Sequence, residues 1–249
     1  MKAILIPVKE FREAKKRLAP HFSSAERAAL AEAMCEDFFE VVAATRCVER
    51  VFVVSKEPGA LARARERGWE TILETRQISE SDSVDAASQY CAAQGVRALL
   101  RLPIDLPLAE PQDIEAVFHK FDERLDGRLN EKFEDKSDDA TAAVLIPSRD
   151  GTGTNALLRT PPGLFPSRFG PNSFALHLAE AERCGARICV LRNARLELDV
   201  DELEDLRGVY MDLRPGSATA RWCNEHNIGD LGNRPAASDF SEERESEGR

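Results

Sequence analysis

The sequence predicts an α/β domain in which a parallel or mostly parallel sheet carries helices on both faces. Three observations predict it. Through the first two-thirds of the chain, short apolar runs alternate with amphipathic segments, the pattern of parallel strands joined by helical crossovers. Several helical segments stop at a glycine (Gly68, Gly95, Gly185), the residue that most easily takes the left-handed closing conformation. The chain has 249 residues, 43% of them hydrophobic, ample for one sizeable core.

The elements follow in order. Residues 3–8 form a first strand, and 24–44 a long amphipathic helix with Ser23, Ser24 and Glu26 as capping residues. A second strand at 50–55 leads to a helix at 59–67 and a short third strand at 70–74. A helix at 83–94 precedes a buried strand at 97–102, and Pro111 opens a helix at 111–121, where a missing N–H costs nothing. Residues 122–139 break the pattern: charged and without apolar periodicity, they read as an exposed insertion. Strand 140–147 follows, with 155–159 pairing beside it, then a helix at 173–184 and a strand at 187–191. Short helices at 201–207 and 217–225 close a single domain spanning 1–231; the polar residues 232–249 read as a disordered tail.

Composition excludes several functions. With 34 Lys and Arg against 44 Asp and Glu, the net charge is −10, which disfavours a nucleic-acid surface. No run approaches 18 uninterrupted apolar residues, so no membrane span is expected, and the first apolar run is too short for a signal peptide. Six cysteines without any CxxC spacing read as reduced, mostly core residues, and the expected compartment is cytoplasmic. His21, His119, His177 and His226 share no metal spacing, and His177 reads as a packing or surface residue rather than a base. GxSxG, HExxH and Walker motifs are missing, and the GxGxxG fingerprint is missing too, which argues against a dinucleotide dehydrogenase.

The candidate chemistry sits at strand ends, where open α/β sheets bind ligands. Gly151-Thr152-Gly153-Thr154-Asn155 and Gly170-Pro171-Asn172-Ser173 combine close backbone approach with hydroxyl donors suited to phosphate or carboxylate oxygens. The second cluster opens a helix, whose free N–H groups and positive dipole end favour an anion. The basic stretch from Lys9 to Lys15, Lys16 and Arg17 follows the first strand, where nucleotide phosphates would lie. Asp105, between Pro103 and Pro107 after a buried strand, suits magnesium, which takes few protein carboxylates. At strand spacing Asp199 and Asp201 point the same way; Asp199 is the expected ligand and Asp201 the cap of the next helix. Each feature alone also reads as an ordinary turn, cap or solvated loop.

Taken together, Ile6-Pro7-Val8-Lys9 with Ala14 to Pro20, Asp105-Leu106-Pro107, Gly151 to Asn155, Arg168-Phe169-Gly170-Pro171-Asn172-Ser173 and Leu198 to Leu206 resemble one family. It is the 2-phospho-L-lactate guanylyltransferase family, which includes phosphoenolpyruvate guanylyltransferases and serves biosynthesis of the deazaflavin coenzyme F-420. The resemblance implies a GT-A-type nucleotidyltransferase fold, a three-layer α/β/α sandwich around a mixed, mainly parallel sheet. It implies attack of a phosphorylated three-carbon acid on the α-phosphorus of GTP, pyrophosphate release, and bound Mg2+. By motif, Asp105 and Asp199 resemble the metal ligands, and Lys9, Thr154, Gly170 and Ser173 the clamp for the acid's phosphate and carboxylate. Lys15 and Arg17 are further candidates for the triphosphate. One departure stands out: Ser83-Val84-Asp85-Ala86 replaces a Leu-Asn-Ala stretch, placing the carboxylate of Asp85 on the expected nucleotide side.

The implied partners are GTP and a phosphorylated small acid, without nucleic acid or membrane; a homodimer is left open. The rival readings are another nucleotidyltransferase of this fold, of molybdopterin or sugar-nucleotide type, and a non-catalytic nucleotide-binding module. Loss of Asp105 is expected to change stability little, because the carboxylate would belong to a repelling acidic pair.

Overall fold

The first strand, β1 (Lys2–Val8), sets the layering. Its side chains alternate between two cores, as the two-residue period of a strand requires. Ile4, Ile6 and Val8 pack with Phe38 and Phe39 of helix α1 (Ser24–Ala44) on one face. Ala3 and Leu5 pack with Val84, Ala87 and Cys91 of α3 (Glu80–Ala93) on the other. This computed structural model describes residues 1–75, 79–125 and 141–229.

The remaining elements are β2 (Arg50–Ser55), α2 (Pro58–Glu66), β3 (Glu70–Leu73), β4 (Ala98–Arg101), α4 (Pro111–Leu125), β5 (Ala142–Pro147), β6 (Thr154–Thr160), α5 (Ser173–Arg183), β7 (Arg187–Val190), α6 (Leu203–Tyr210) and α7 (Ala218–Glu225). Seven strands form one sheet in the order β3-β2-β1-β4-β6-β5-β7. Every pairing is parallel except those of β6, which runs antiparallel to both β4 and β5. This is the mixed, mainly parallel sheet between helical layers that the resemblance implied.

Local chemistry explains the element ends. Ser23 caps α1 in a reciprocal capping box with Glu26. Gly68, Gly95 and Gly185 follow their helices with φ of 73°, 84° and 67°, a region that penalises any residue with a Cβ. All six cysteines are free, and burial pushes the thiols of Cys35, Cys91 and Cys223 up to about 12.

Two expectations are corrected. Helix α4 runs to Leu125, into the stretch expected as an insertion, because Asp122 and Glu123 still find partners in Lys2 (2.6 Å) and Lys120 (2.7 Å). The rest of that stretch and the tail at 232–249 lie outside the described residues. Residues 198–201 form no strand, and Asp201 is not the cap. Glu202 caps α6 through a reciprocal box with Asp205, whose Oδ2 also accepts the Asp201 N–H at 3.0 Å.

A satellite core joins α6 and α7 to the first half of α1, through Leu30, Met34, Leu206, Val209, Trp222 and Cys223, and takes in Leu18 and Phe22. The buried Asp37 fastens it, accepting the N–H groups of Ala218 (2.8 Å) and Thr219 (2.7 Å) at the start of α7. Asp37→Ala strands these donors and is expected to cost roughly 1–3 kcal/mol, read by urea unfolding. An unchanged midpoint would show that water replaces the carboxylate freely.

Candidate active site

Topology brings the motifs to one sheet edge. The order reverses between β1 and β4, the switch point at which such sheets open a crevice beyond their carboxyl ends. Because β6 is antiparallel, its first residues, Thr154 and Asn155, lie at the edge where β1, β4 and β5 end. The resulting cleft has a volume of about 1090 Å³ and is lined by Lys9, Lys15, Arg17, Asp105, Thr154, Gly170, Ser173 and Asp199, among others. That volume stands at the upper end of small-molecule sites, with room for two substrates.

Asp105 and the 198–201 loop meet through backbone, with the Val200 N–H donating to Asp105 O at 3.0 Å. Lys15, in the left-handed region at φ 53° and only 6% exposed in its side chain, reaches Asp105 Oδ2 at 2.9 Å and the Val200 carbonyl. Burial opposes ionisation of Asp105, but the Lys15 ammonium, with Arg101 adding, holds its carboxyl below the ordinary range. Asp199 goes the other way: burial, then the charges of Asp105 and Asp201, push it up to about 6. Asn155 works against that shift by donating from Nδ2 to Asp199 Oδ1 (3.1 Å), and it also donates to Leu196 O (3.0 Å). Asp201 faces Lys15 (3.8 Å) and Arg17 (3.3 Å).

These two carboxylates fit a hard, oxygen-seeking cation. Burial, and then repulsion from Asp105, raises the pKa of Asp199, and a buried ammonium stands against Asp105. Among the described residues no group of three or more His, Cys, Asp or Glu side chains could hold a metal alone, so such an ion would draw other ligands from substrate and water.

The two glycine-hydroxyl loops line the same cleft. Residues 148–153 form the β5–β6 hairpin turn, with Gly151 at φ 76°. The Asp150 carboxylate accepts the Thr152 N–H (2.9 Å) and the hydroxyls of Ser148 (2.5 Å) and Thr152 (2.8 Å), bonds that hold its pKa at about 2. Thr152 is thereby committed to the turn, whereas Thr154 stands on the cleft wall. A Cβ at Gly153 would lie 2.9 Å from Ser148 Oγ, which explains the glycine there. Gly170 has φ 125°, Asn172 is the left-handed N-cap of α5, and Ser173 is the first helical residue. The two loops touch where Phe174 N–H donates to Thr152 O at 3.1 Å.

Asp85 is corrected. Ser83 and Glu80 of α3 line the cleft, but two residues further round a helix Asp85 is turned aside. Both its oxygens accept the Ser167 N–H at 3.0 Å, and it faces the buried Arg159 at 3.4 Å. It braces the loop before Gly170 rather than a nucleotide.

Sequence reasoning gave no role to Asn155, Arg101 and Glu80, and read His177 as a packing or surface residue rather than a base. Asn155 orients Asp199, although its place in the hairpin motif could have flagged it. The buried Arg101 donates to Asn155 O (3.2 Å) and to Glu80, and Glu80 pairs Lys9 at 3.4 Å. His177 is fully buried and bonded to both loops. Burial, then the charges of Arg159, Arg101 and Arg168, press its pKa down to about 3, with Glu180 opposing. A base with a depressed folded pKa stabilises the fold above its unfolded value, near 6.5, and that stability is lost as pH falls toward 3. Between pH 6.5 and 4.5 the wild type should lose roughly 2–3 kcal/mol that His177→Gln does not. Parallel urea titrations check this, and equal losses in both proteins would refute it.

The comparisons with known proteins agree with this arrangement. Residues 1–221 match the family described as guanylyl transferase CofC like. A phosphoenolpyruvate guanylyltransferase of Rubrobacter xylanophilus is 35% identical over 204 residues, 81% of this chain and 90% of that protein. A 2-phospho-L-lactate guanylyltransferase of Methanothermobacter thermautotrophicus is 32% identical over 208 residues, 83% of each. Among solved structures, a Desulfovibrio desulfuricans protein described as a nucleotide-diphospho-sugar transferase shares the fold at a TM-score of 0.68 and 16% identity, covering 92% of this chain and 97% of that one. A nucleotidyl transferase of Methanothermobacter thermautotrophicus does so at 0.56 and 12%, covering 84% and 95%. With the match running from β1 into the helix that closes the satellite core, the chain belongs to the CofC-like guanylyl transferase family.

Proposed function

We propose that this protein transfers GMP from GTP to the phosphate of a three-carbon phosphorylated acid, in biosynthesis of coenzyme F-420. The observation that carries this reading is one cleft lined by both an acidic pair and two glycine-hydroxyl loops, in a chain of this family. A phosphate oxygen of the acid attacks the α-phosphorus of GTP; the new P–O–P bond forms as the α–β bond breaks and pyrophosphate leaves. The nucleophile is already anionic, so no general base is required, which suits a cleft whose nearest histidine is buried and neutral. The demand is to hold two anions together and to stabilise spreading charge.

The division of labour follows the chemistry of the lining residues. Thr154, Gly170 and Ser173 hold the acid, with Lys9 at its phosphate. Lys15 and Arg17, already facing the carboxylates, bind the triphosphate. Asp105 and Asp199 would hold magnesium, which would supply positive charge against the charge developing on the α-phosphate. Asn155 orients Asp199 by donating to its Oδ1.

Pyrophosphate release tests this with GTP or CTP against phosphoenolpyruvate, 2-phospho-L-lactate and a phosphoglycerate. Release with GTP and at least one acid is expected. Release with CTP alone, or with no acid, overturns the proposal. The acids differ by a methyl, a methylene or a hydroxyl, so their ranking depends on pocket shape.

A further inference from the structure

Two of the loops that face the cleft share one buried imidazole. His177 Nε2 lies 2.8 Å from the backbone nitrogen of Arg168, and Nδ1 lies 2.9 Å from Thr154 Oγ1. A backbone N–H can only donate, so Nε2 must be the bare, accepting nitrogen. A neutral ring carries its single hydrogen on the other nitrogen, so Nδ1–H donates to the Thr154 hydroxyl. That hydroxyl therefore spends an oxygen lone pair on the ring and keeps its own hydrogen. The ring has no solvent-exposed surface, and Phe169 packs edge-on against it with centroids 4.9 Å apart, so it has little freedom to turn over.

We propose that His177 is a positioning residue that makes Thr154 a hydrogen-bond donor toward the acid substrate. The proposal rests on the reading that Thr154 binds that acid. Were the ring in its other tautomer, Nδ1 would accept, the Thr154 hydrogen would turn to the ring, and an anion would meet only oxygen lone pairs. The same ring holds the Arg168 amide, so the loop leading to Gly170 and Ser173 is registered against Thr154 through one side chain. The ring's depressed pKa keeps it neutral across the physiological range, which preserves the arrangement.

The direct test is the tautomer. Long-range proton–nitrogen spectra of the full chain labelled at its four histidines, with His177 identified by its loss in His177→Gln, should show hydrogen on Nδ1 and a bare Nε2. Hydrogen on Nε2 overturns the proposal whatever the kinetics show. Kinetics give the second test. In His177→Gln the side-chain oxygen can replace Nε2 as acceptor but nothing donates to Thr154. In His177→Asn the amide nitrogen can replace Nδ1 as donor.

We expect His177→Gln to raise KM for the acid about tenfold or more, the usual consequence of one hydrogen bond to a charged group, with KM for GTP little changed. His177→Asn should stay closer to wild type, and His177→Gln should add nothing in a Thr154→Val background. An equal rise in both KM values, or the same His177→Gln effect with and without the Thr154 hydroxyl, overturns the proposal. Failure of the broader functional reading is distinguishable, because it shows in the wild type as no pyrophosphate release while the tautomer remains measurable.

Discussion

Asp105→Asn is expected to lower kcat for pyrophosphate release by on the order of 100-fold or more, the usual scale for losing a charge-stabilising element. The carboxylate stands after β4 at the switch point, joined by backbone to the loop that carries Asp199. Halving the acidic pair removes the charge that pairs with Lys15 and that the proposed divalent ion would need. Near-wild-type turnover at saturating magnesium and both substrates would refute the assignment. The structure changes the stability expectation that goes with it. Asp105 is not merely one of two repelling carboxylates; it is the 2.9 Å partner of a nearly buried ammonium. Its neutral replacement should cost about 1–2 kcal/mol, since asparagine still offers a carbonyl to Lys15. A melting curve measured alongside the kinetics separates that cost from the loss of rate.

Ser173→Ala is expected to raise KM for the acid by roughly 10- to 150-fold, while KM for GTP moves much less. Ser173 is buried at the N-terminal end of α5, where free N–H groups and the helix dipole favour an anion. The rival explanation, that it merely caps its helix, predicts about 1 kcal/mol of lost stability and no selective kinetic effect. The structure weakens that rival, because Asn172 holds the cap position and Ser173 is already helical. A rise in KM for GTP with an unchanged KM for the acid would reverse the assignment of the two substrates within the cleft.

Much of this was written locally. The alternation of β1, β2 and β4 with their helices, the capping box at Ser23, and the glycine stops at Gly68, Gly95 and Gly185 each depend on a few adjacent residues. Hydrophobic period and turn chemistry therefore reveal them. The candidate loops were legible for the same reason, since Gly153 and Gly170 are glycines for local steric and backbone causes. Tertiary structure alone decided what faces what. Two residues round a helix turned Asp85 from the cleft to the Ser167 amide, and a nearby Asp205 left Asp201 free to face Lys15 and Arg17. Asn155, Arg101 and His177 act through partners 9 to 54 positions away in the chain, such as Asp199 for Asn155 and Arg168 with Thr154 for His177. A period along a chain records which side of an element a residue occupies. The direction of a hydrogen bond, and which carboxylate a lysine neutralises, exist only once antiparallel β6 brings its first residues to the edge where β1, β4 and β5 end.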